Sequence, residues 1–232
     1  LDKTILDYQL NTLQKAGIYD INIVSGYQAK ALKKLNLTHF TNKNYASTNM
    51  VESLFCALPF VSTDEDIIIS YGDIIYQSDN LMKVMHADED IAVMVDLKWL
   101  DIWKLRFNNP LNDAESMIID SKGYIKELGK KTENYHNIQG QYTGLLKVKS
   151  SKISALIDFY NSLDQNKIYD GNVFKNMYLT HFLQLLIDSQ WRVKSIPVNN
   201  GWLEFDSVND LNLYEKLSKE GELKKIFSLL KI

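Results

Sequence analysis

The chain has 232 residues, enough for one large domain or two small ones, and its 45% hydrophobic and 24% charged residues exclude general disorder. The net charge of −3, with His neutral, argues against a duplex nucleic-acid binder, whose basic patch shows in the balance. A single cysteine, Cys56, excludes an intrachain disulfide and a cysteine-rich zinc site, and no apolar run approaches the roughly 18 residues of a membrane span, so a reducing cytosol is the expected compartment.

Thr4-Ile5-Leu6-Asp7 reads as a capping box opening a helix with a Leu6, Leu10, Leu13 stripe that Gly17 ends. Residues 20–24 read as a short strand, 27–35 as a second helix and 37–41 as a weak strand. Asn49, with Glu52 three residues on, caps a helix reaching about Leu58. The continuous apolar runs 66–70 and 91–95 are strands covered on both faces, with a helix at 80–86 between them. This βαβα rhythm predicts an α/β fold with a mainly parallel sheet between helices. Further on, residues 116–119, 124–128 and 141–148 read as short strands, with Gly123 turning between the first two, so an antiparallel insertion is expected. Helices at 152–162 and 177–188, strands at 193–198 and 202–205, and a last helix capped by Ser207 and Asp210 complete the chain. With only 3 Pro and 10 Gly and no linker-like stretch, residues 1–232 are expected to form a single domain.

Two carboxylates follow strands. Asp73, after Tyr71-Gly72, is either a turn residue or a hard oxygen ligand for Mg²⁺ beside a glycine that lets a phosphate approach. Asp206, between the strand at 202–205 and the Ser207 cap, is either a cap residue or a second ligand for the same ion if the two strands are neighbours. Lys130-Lys131 is either a solvated turn or a source of phosphate-neutralising charge. Trp99 and Trp103 share a helical face, usually a core feature; with Tyr142, Tyr178 and Trp202 the alternative is an aromatic pocket for a cationic amine. Arg106 is a phosphate clamp or a surface ion-pair partner. Cys56 lies in an apolar helix stripe, His181 has no triad neighbours, and no Walker A, G-x-G-x-x-G or G-x-S-x-G pattern occurs.

Six segments in order carry a resemblance: Leu6–Tyr27, Ser70-Tyr71-Gly72-Asp73, Arg106–Glu115, Glu127-Leu128-Gly129-Lys130-Lys131 with Gly140–Leu145, Met177-Tyr178-Leu179-Thr180, and Gly201–Ser207. Together they resemble the nucleotidyltransferase family, with its Rossmann-like three-layer fold, in the branch of phosphocholine cytidylyltransferases, which includes enzymes acting on aminoethylphosphonate and on phosphoglutamine for capsule decoration. The segments around 169–178 are most similar to the phosphoglutamine type. The resemblance implies that Asp73 and Asp206 hold Mg²⁺ between nucleotide and acceptor phosphate. It also implies that Lys130 touches a phosphate and that Asn49 and Gly72 lie by the nucleotide. Arg106, Tyr142, Tyr178 and Trp202 are then expected to line the acceptor site. Where many members carry an acid before the aromatic of the Gly140–Gly144 segment, this chain has Gln141. The family's first strand and glycine-rich, triphosphate-binding loop have no counterpart after Leu1, so roughly 25–30 further residues are expected upstream, the size of one strand–loop–helix unit.

The implied reaction is transfer from CTP to a small phosphorylated acceptor with release of pyrophosphate. A sugar-1-phosphate nucleotidylyltransferase and a non-catalytic binding module of the same fold are the rival readings.

Overall fold

In the computed structural model, which describes residues 3–228 (Lys33 and Lys34 by backbone alone), the sequence patterns resolve into seven helices and twelve strands among the described residues. In chain order they are α1 (Ile5–Lys15), β1 (Asn22–Ser25), β2 (Thr38–Thr41), α2 (Met50–Ala57), β3 (Ile67–Ser70), β4 (Ile74–Tyr76), α3 (Ser78–Met85), β5 (Ile91–Asp96) and α4 (Trp99–Arg106). There follow β6 (Glu115–Ile119), β7 (Ile125–Lys131), β8 (Gln141–Val148), α5 (Ser150–Ser162), β9 (Ile168–Tyr169), β10 (Asn172–Val173), α6 (Leu179–Asp188), β11 (Val193–Val198), β12 (Trp202–Glu204) and α7 (Val208–Lys219).

Local chemistry sets the helix starts. The Thr4 and Ser207 side chains accept from the backbone N–H of Asp7 and Asp210, whose carboxylates bond back, so both expected capping boxes are present. The expected helix at 27–35 is instead a 3-10 segment, Ala29–Lys34. Gln28 just before it takes a left-handed conformation (φ 52°), and the bonds from Ala31 N–H to Gln28 O (2.8 Å) and from Leu35 N–H to Leu32 O (3.0 Å) close i→i+3 turns.

The main sheet has the order β11-β5-β8-β3. β11 and β5 pair in parallel, and β8 runs antiparallel to both β5 and β3, so β3, β5 and β11 share one direction. β8, read as part of the antiparallel insertion, is thus built into the main sheet, while β6 and β7 form a hairpin of their own. β5 is buried along its whole length: Val93 and Val95 pack with Val51, Phe55 and Phe182, while Met94 faces Trp99, Trp103 and Trp202 on the other side. That alternation makes the fold three-layered.

The expectation that Trp202 lines an acceptor pocket is corrected here. Trp202 is fully buried, and its indole Nε1 donates to Asp96 Oδ2 (2.9 Å). Asp96 Oδ1 accepts from the backbone N–H of Lys98 (2.8 Å) and Asn200 (2.9 Å). This buried carboxylate therefore ties the end of β5 to the turn that launches β12. Trp99 and Trp103 are likewise core residues, edge to face at 5.7 Å. Replacing Asp96 by Ala strands three donors, and a loss of about 2–4 kcal/mol in urea unfolding is expected; a loss below about 1 kcal/mol would contradict this linkage.

Candidate active site

β3 ends at Ser70, and the chain turns through Tyr71-Gly72-Asp73 into β4. Tyr71 fixes this turn. Its backbone N–H donates to Gly144 O (3.0 Å), its hydroxyl donates to Met50 Sδ (2.6 Å), and its ring stands edge-on to Tyr142 at 5.7 Å. Gly144 has φ +81°, and a Cβ there would sit 2.7 Å from the Tyr71 ring, so only glycine allows this packing. Gly72 differs: a Cβ would meet nothing within 4 Å, its φ is not left-handed, and it is exposed. The protein's own packing does not require glycine there.

β4 pairs antiparallel with β12, Ile74 opposite Glu204, and Phe205 N–H donates to Asp73 O (2.9 Å). This register brings Asp73 and Asp206 to the same end of the strand pair. Arg106, the last residue of α4, lies against that end with its side chain only 1% exposed. Its Nη1 donates to Glu204 Oε2 (2.7 Å), Nη2 to Asp206 Oδ2 (2.6 Å) and Nε to Asp210 Oδ1 (2.8 Å). Arg106 is therefore neither a surface ion-pair partner nor a free phosphate clamp: its fork is occupied by protein carboxylates.

The local charge is strongly negative. Asp73, Asp113, Glu204, Asp206 and Asp210 all interact with one guanidinium. Burial, helped by the neighbouring Asp206, pushes Asp73 up, and its own backbone N–H and Arg106 only partly offset this. Burial and Asp206 push Glu204 up to about 7. Burial works to raise Asp210 too, but hydrogen bonds from Arg106 and Ser207 hold it below the usual carboxylate range. Asp73 Oδ1 is buried without a hydrogen-bond partner among the described residues, while Asp206, about half exposed, meets Arg106 through Oδ2. Such an excess of oxygen donors suits a hard divalent cation. No cluster of three or more metal-ligating side chains exists among the described residues.

The other expected residues come from other elements. Lys130, on β7, is exposed and paired to Glu127. Tyr178, just before α6, is also exposed. Asn49 caps α2 with its own side chain, accepting from Met50 N–H (2.8 Å), and so sits one residue from the Tyr71 contact. The Tyr142 hydroxyl is buried. Gln141 is a buried brace: Oε1 accepts from Glu115 N–H (3.2 Å) and Nε2 donates to Glu115 O (2.6 Å). Sequence reading missed Glu204, which Arg106 holds beside Asp206. Glu115, on β6, is a second partly buried acid. Burial pushes Glu115 up to about 7 despite a hydrogen bond from Thr180, with Asp113 and Asp170 adding to the rise.

Because the Glu204 pKa of about 7 lies above its ordinary 4.5, the unfolded chain releases this proton first. Native stability contributed at this position falls as pH rises between those values. Glu204→Gln keeps an acceptor for Arg106 and is expected to remove this decline. Its melting temperature should gain on the parent between pH 5 and pH 8, whereas parallel curves would contradict the assignment.

Residues 1–110 match the MobA-like NTP transferase domain. The chain is 41% identical over 221 residues to a CTP:phosphoglutamine cytidylyltransferase of Campylobacter jejuni, covering 91% of this chain and 87% of that protein. Among solved structures, an inositol-1-phosphate CTP transferase of T. maritima superimposes with a TM-score of 0.68 at 20% identity, covering 97% of this chain and 84% of the other. The CTP:phosphocholine cytidylyltransferase of Streptococcus pneumoniae does so with 0.64 at 15% identity, covering 94% and 86%. These structures share the fold. With the level and extent of the Campylobacter match, the chain belongs to the nucleotidyltransferase family, in its cytidylyltransferase branch.

Proposed function

We propose that the chain is a Mg²⁺-dependent cytidylyltransferase that joins CTP to the phosphate of a small phosphorylated amine or amino acid, phosphoglutamine foremost, with release of pyrophosphate. The observation that carries this reading is the meeting of Asp73 and Asp206 at one end of the β4–β12 pair, with Asp73 Oδ1 lacking a protein partner. The similarity to a phosphoglutamine enzyme over nearly the whole chain supports the choice of acceptor.

An anionic phosphate oxygen of the acceptor attacks the α-phosphorus of CTP. One P–O bond forms while the bond to the β-phosphate's bridging oxygen breaks, and pyrophosphate leaves with the electron pair. The nucleophile is already charged, so no general base is needed, in keeping with a site of carboxylates rather than a triad. When bound, Mg²⁺ would neutralise the phosphate oxygens and the leaving pyrophosphate. Asp73 and Asp206 would hold it, and the open space at Gly72 would let phosphates approach the backbone. Lys130 and Tyr178, both exposed, would meet the acceptor from β7 and the start of α6, with the α2 cap at Asn49 on the nucleotide side. Among the described residues no helix is long and apolar enough to cross a membrane. The cytosol, where CTP is made, is the setting that suits this chemistry, and capsule decoration is the use of the product that the phosphoglutamine likeness favours.

Pyrophosphate release should be fastest with CTP, Mg²⁺ and phosphoglutamine when CTP and UTP are compared against phosphocholine, aminoethylphosphonate, phosphoglutamine and glucose-1-phosphate. A preference for UTP with glucose-1-phosphate would overturn the reading. Asp73→Ala should lower the rate by at least about 100-fold, and a rate close to the parent's would remove the metal assignment.

A further inference from the structure

We propose that Arg106 is a positioning residue for the cation site: it presents Asp206 to the metal by clamping three mutually repelling carboxylates, and it touches neither nucleotide nor acceptor. This rests on the reading above, in which Asp73 and Asp206 hold the ion.

Each of the three nitrogens of the guanidinium meets a different carboxylate, at 2.6–2.8 Å. The partners come from β12 (Glu204), the chain just past it (Asp206) and the first turn of α7 (Asp210). A planar fork with fixed N–H directions can serve three separated oxygens at once, which a single ammonium point charge cannot. The guanidinium is itself held from behind, over the rings of Phe107 (5.0 Å) and Trp103 (5.7 Å). Its side chain is 1% exposed while that of Asp206 is 49% exposed, so Arg106 is the rigid member of the pair.

The division of oxygens indicates what the clamp does. Asp206 gives Oδ2 to Arg106, and no other protein hydrogen bond restrains its carboxylate among the described residues. With Oδ2 pinned, Oδ1 is the oxygen available at the strand end shared with Asp73. Without the guanidinium, Glu204, Asp206 and Asp210 would repel one another. The half-exposed Asp206, the least enclosed of them, would swing towards solvent. Arg106 thus orients a metal-ligating carboxylate by holding its other oxygen, although its own charge disfavours a nearby cation. The benefit must come from geometry, which distinguishes this proposal from simple charge balance.

The test is Mn²⁺ binding to the whole protein, followed by electron paramagnetic resonance under conditions where circular dichroism shows each variant folded, together with the metal dependence of pyrophosphate release. Arg106→Lys keeps the charge and loses the fork. It should weaken Mn²⁺ binding by about 10-fold or more and raise the metal concentration needed for half-maximal rate, with much of the rate recovered at saturating metal. In an Asp206→Asn background, Arg106→Lys should cause no further loss of Mn²⁺ affinity, because its effect runs through Asp206. Unchanged affinity in Arg106→Lys, alongside weakened binding in Asp206→Asn, overturns the clamp and leaves the metal reading intact. Failure of the parent itself to bind Mn²⁺ overturns both. A uniform fall in rate at every metal concentration, with affinity kept, marks Arg106 as merely structural and also overturns the proposal. If Arg106→Lys does not fold, Asp210→Asn weakens one anchor of the fork while its amide oxygen still serves the Ser207 capping box. It should weaken Mn²⁺ binding by about 3-fold, and no change would count against the clamp.

Discussion

The antiparallel pairing of β4 with β12 is the constraint on which the site depends. Ile74 opposite Glu204 fixes the register, and a shift of one residue would turn the carboxylates of the 204–206 segment to the opposite faces of the pair. That register is held by burial: Ile74, Ile75, Trp202 and Leu203 are all essentially inaccessible. The Asp96 carboxylate adds a polar lock by holding the Trp202 indole and the turn that leads into β12. Residues far apart in sequence are in this way delivered to one strand end by packing alone, before any ligand arrives.

The same burial creates an electrostatic problem. Several carboxylates crowd against one guanidinium, and Asp73, Asp113 and Glu204 are all pushed up, first by burial. Such a concentration of anionic oxygen is unfavourable in an apoprotein and becomes favourable once a divalent cation and its phosphates are seated. In the proposed reading the core beneath the site is arranged for that charged complex; in the structure Arg106 holds three of the acids in place. Nucleotidyl transfer between two phosphate-bearing substrates demands this kind of site, because alignment and charge neutralisation are most of its catalysis.

Much of the fold was legible because its signals are local. Thr4 with Asp7 and Ser207 with Asp210 announce their helices through side-chain chemistry three residues apart, and both boxes form. The apolar run of β5 announces a strand covered on both faces, which it is. The segment 27–35 misled because its helical composition carries no weight once Gln28 adopts a left-handed backbone. The small β9–β10 hairpin also carries a local signal: its turn is Asp170-Gly171, the dipeptide that two-residue hairpins favour.

The site was legible in residue type more than in partnership. Asp73 and Asp206 could be picked out because each follows a strand. Glu204 was hidden because in Trp-Leu-Glu-Phe-Asp it looks like one polar residue of a strand, and only the fold reveals that Arg106 reaches it. Arg106 and Trp202 both carried functional expectations that burial overrides, since no local pattern shows which long side chains end up inside. The most direct test of the account is an anomalous difference map from crystals of the protein grown with CTP and Mn²⁺. A single strong peak between the Asp73 and Asp206 carboxylates, shared with phosphate oxygens, is the predicted result. A bound nucleotide whose cation sits away from both side chains would contradict it.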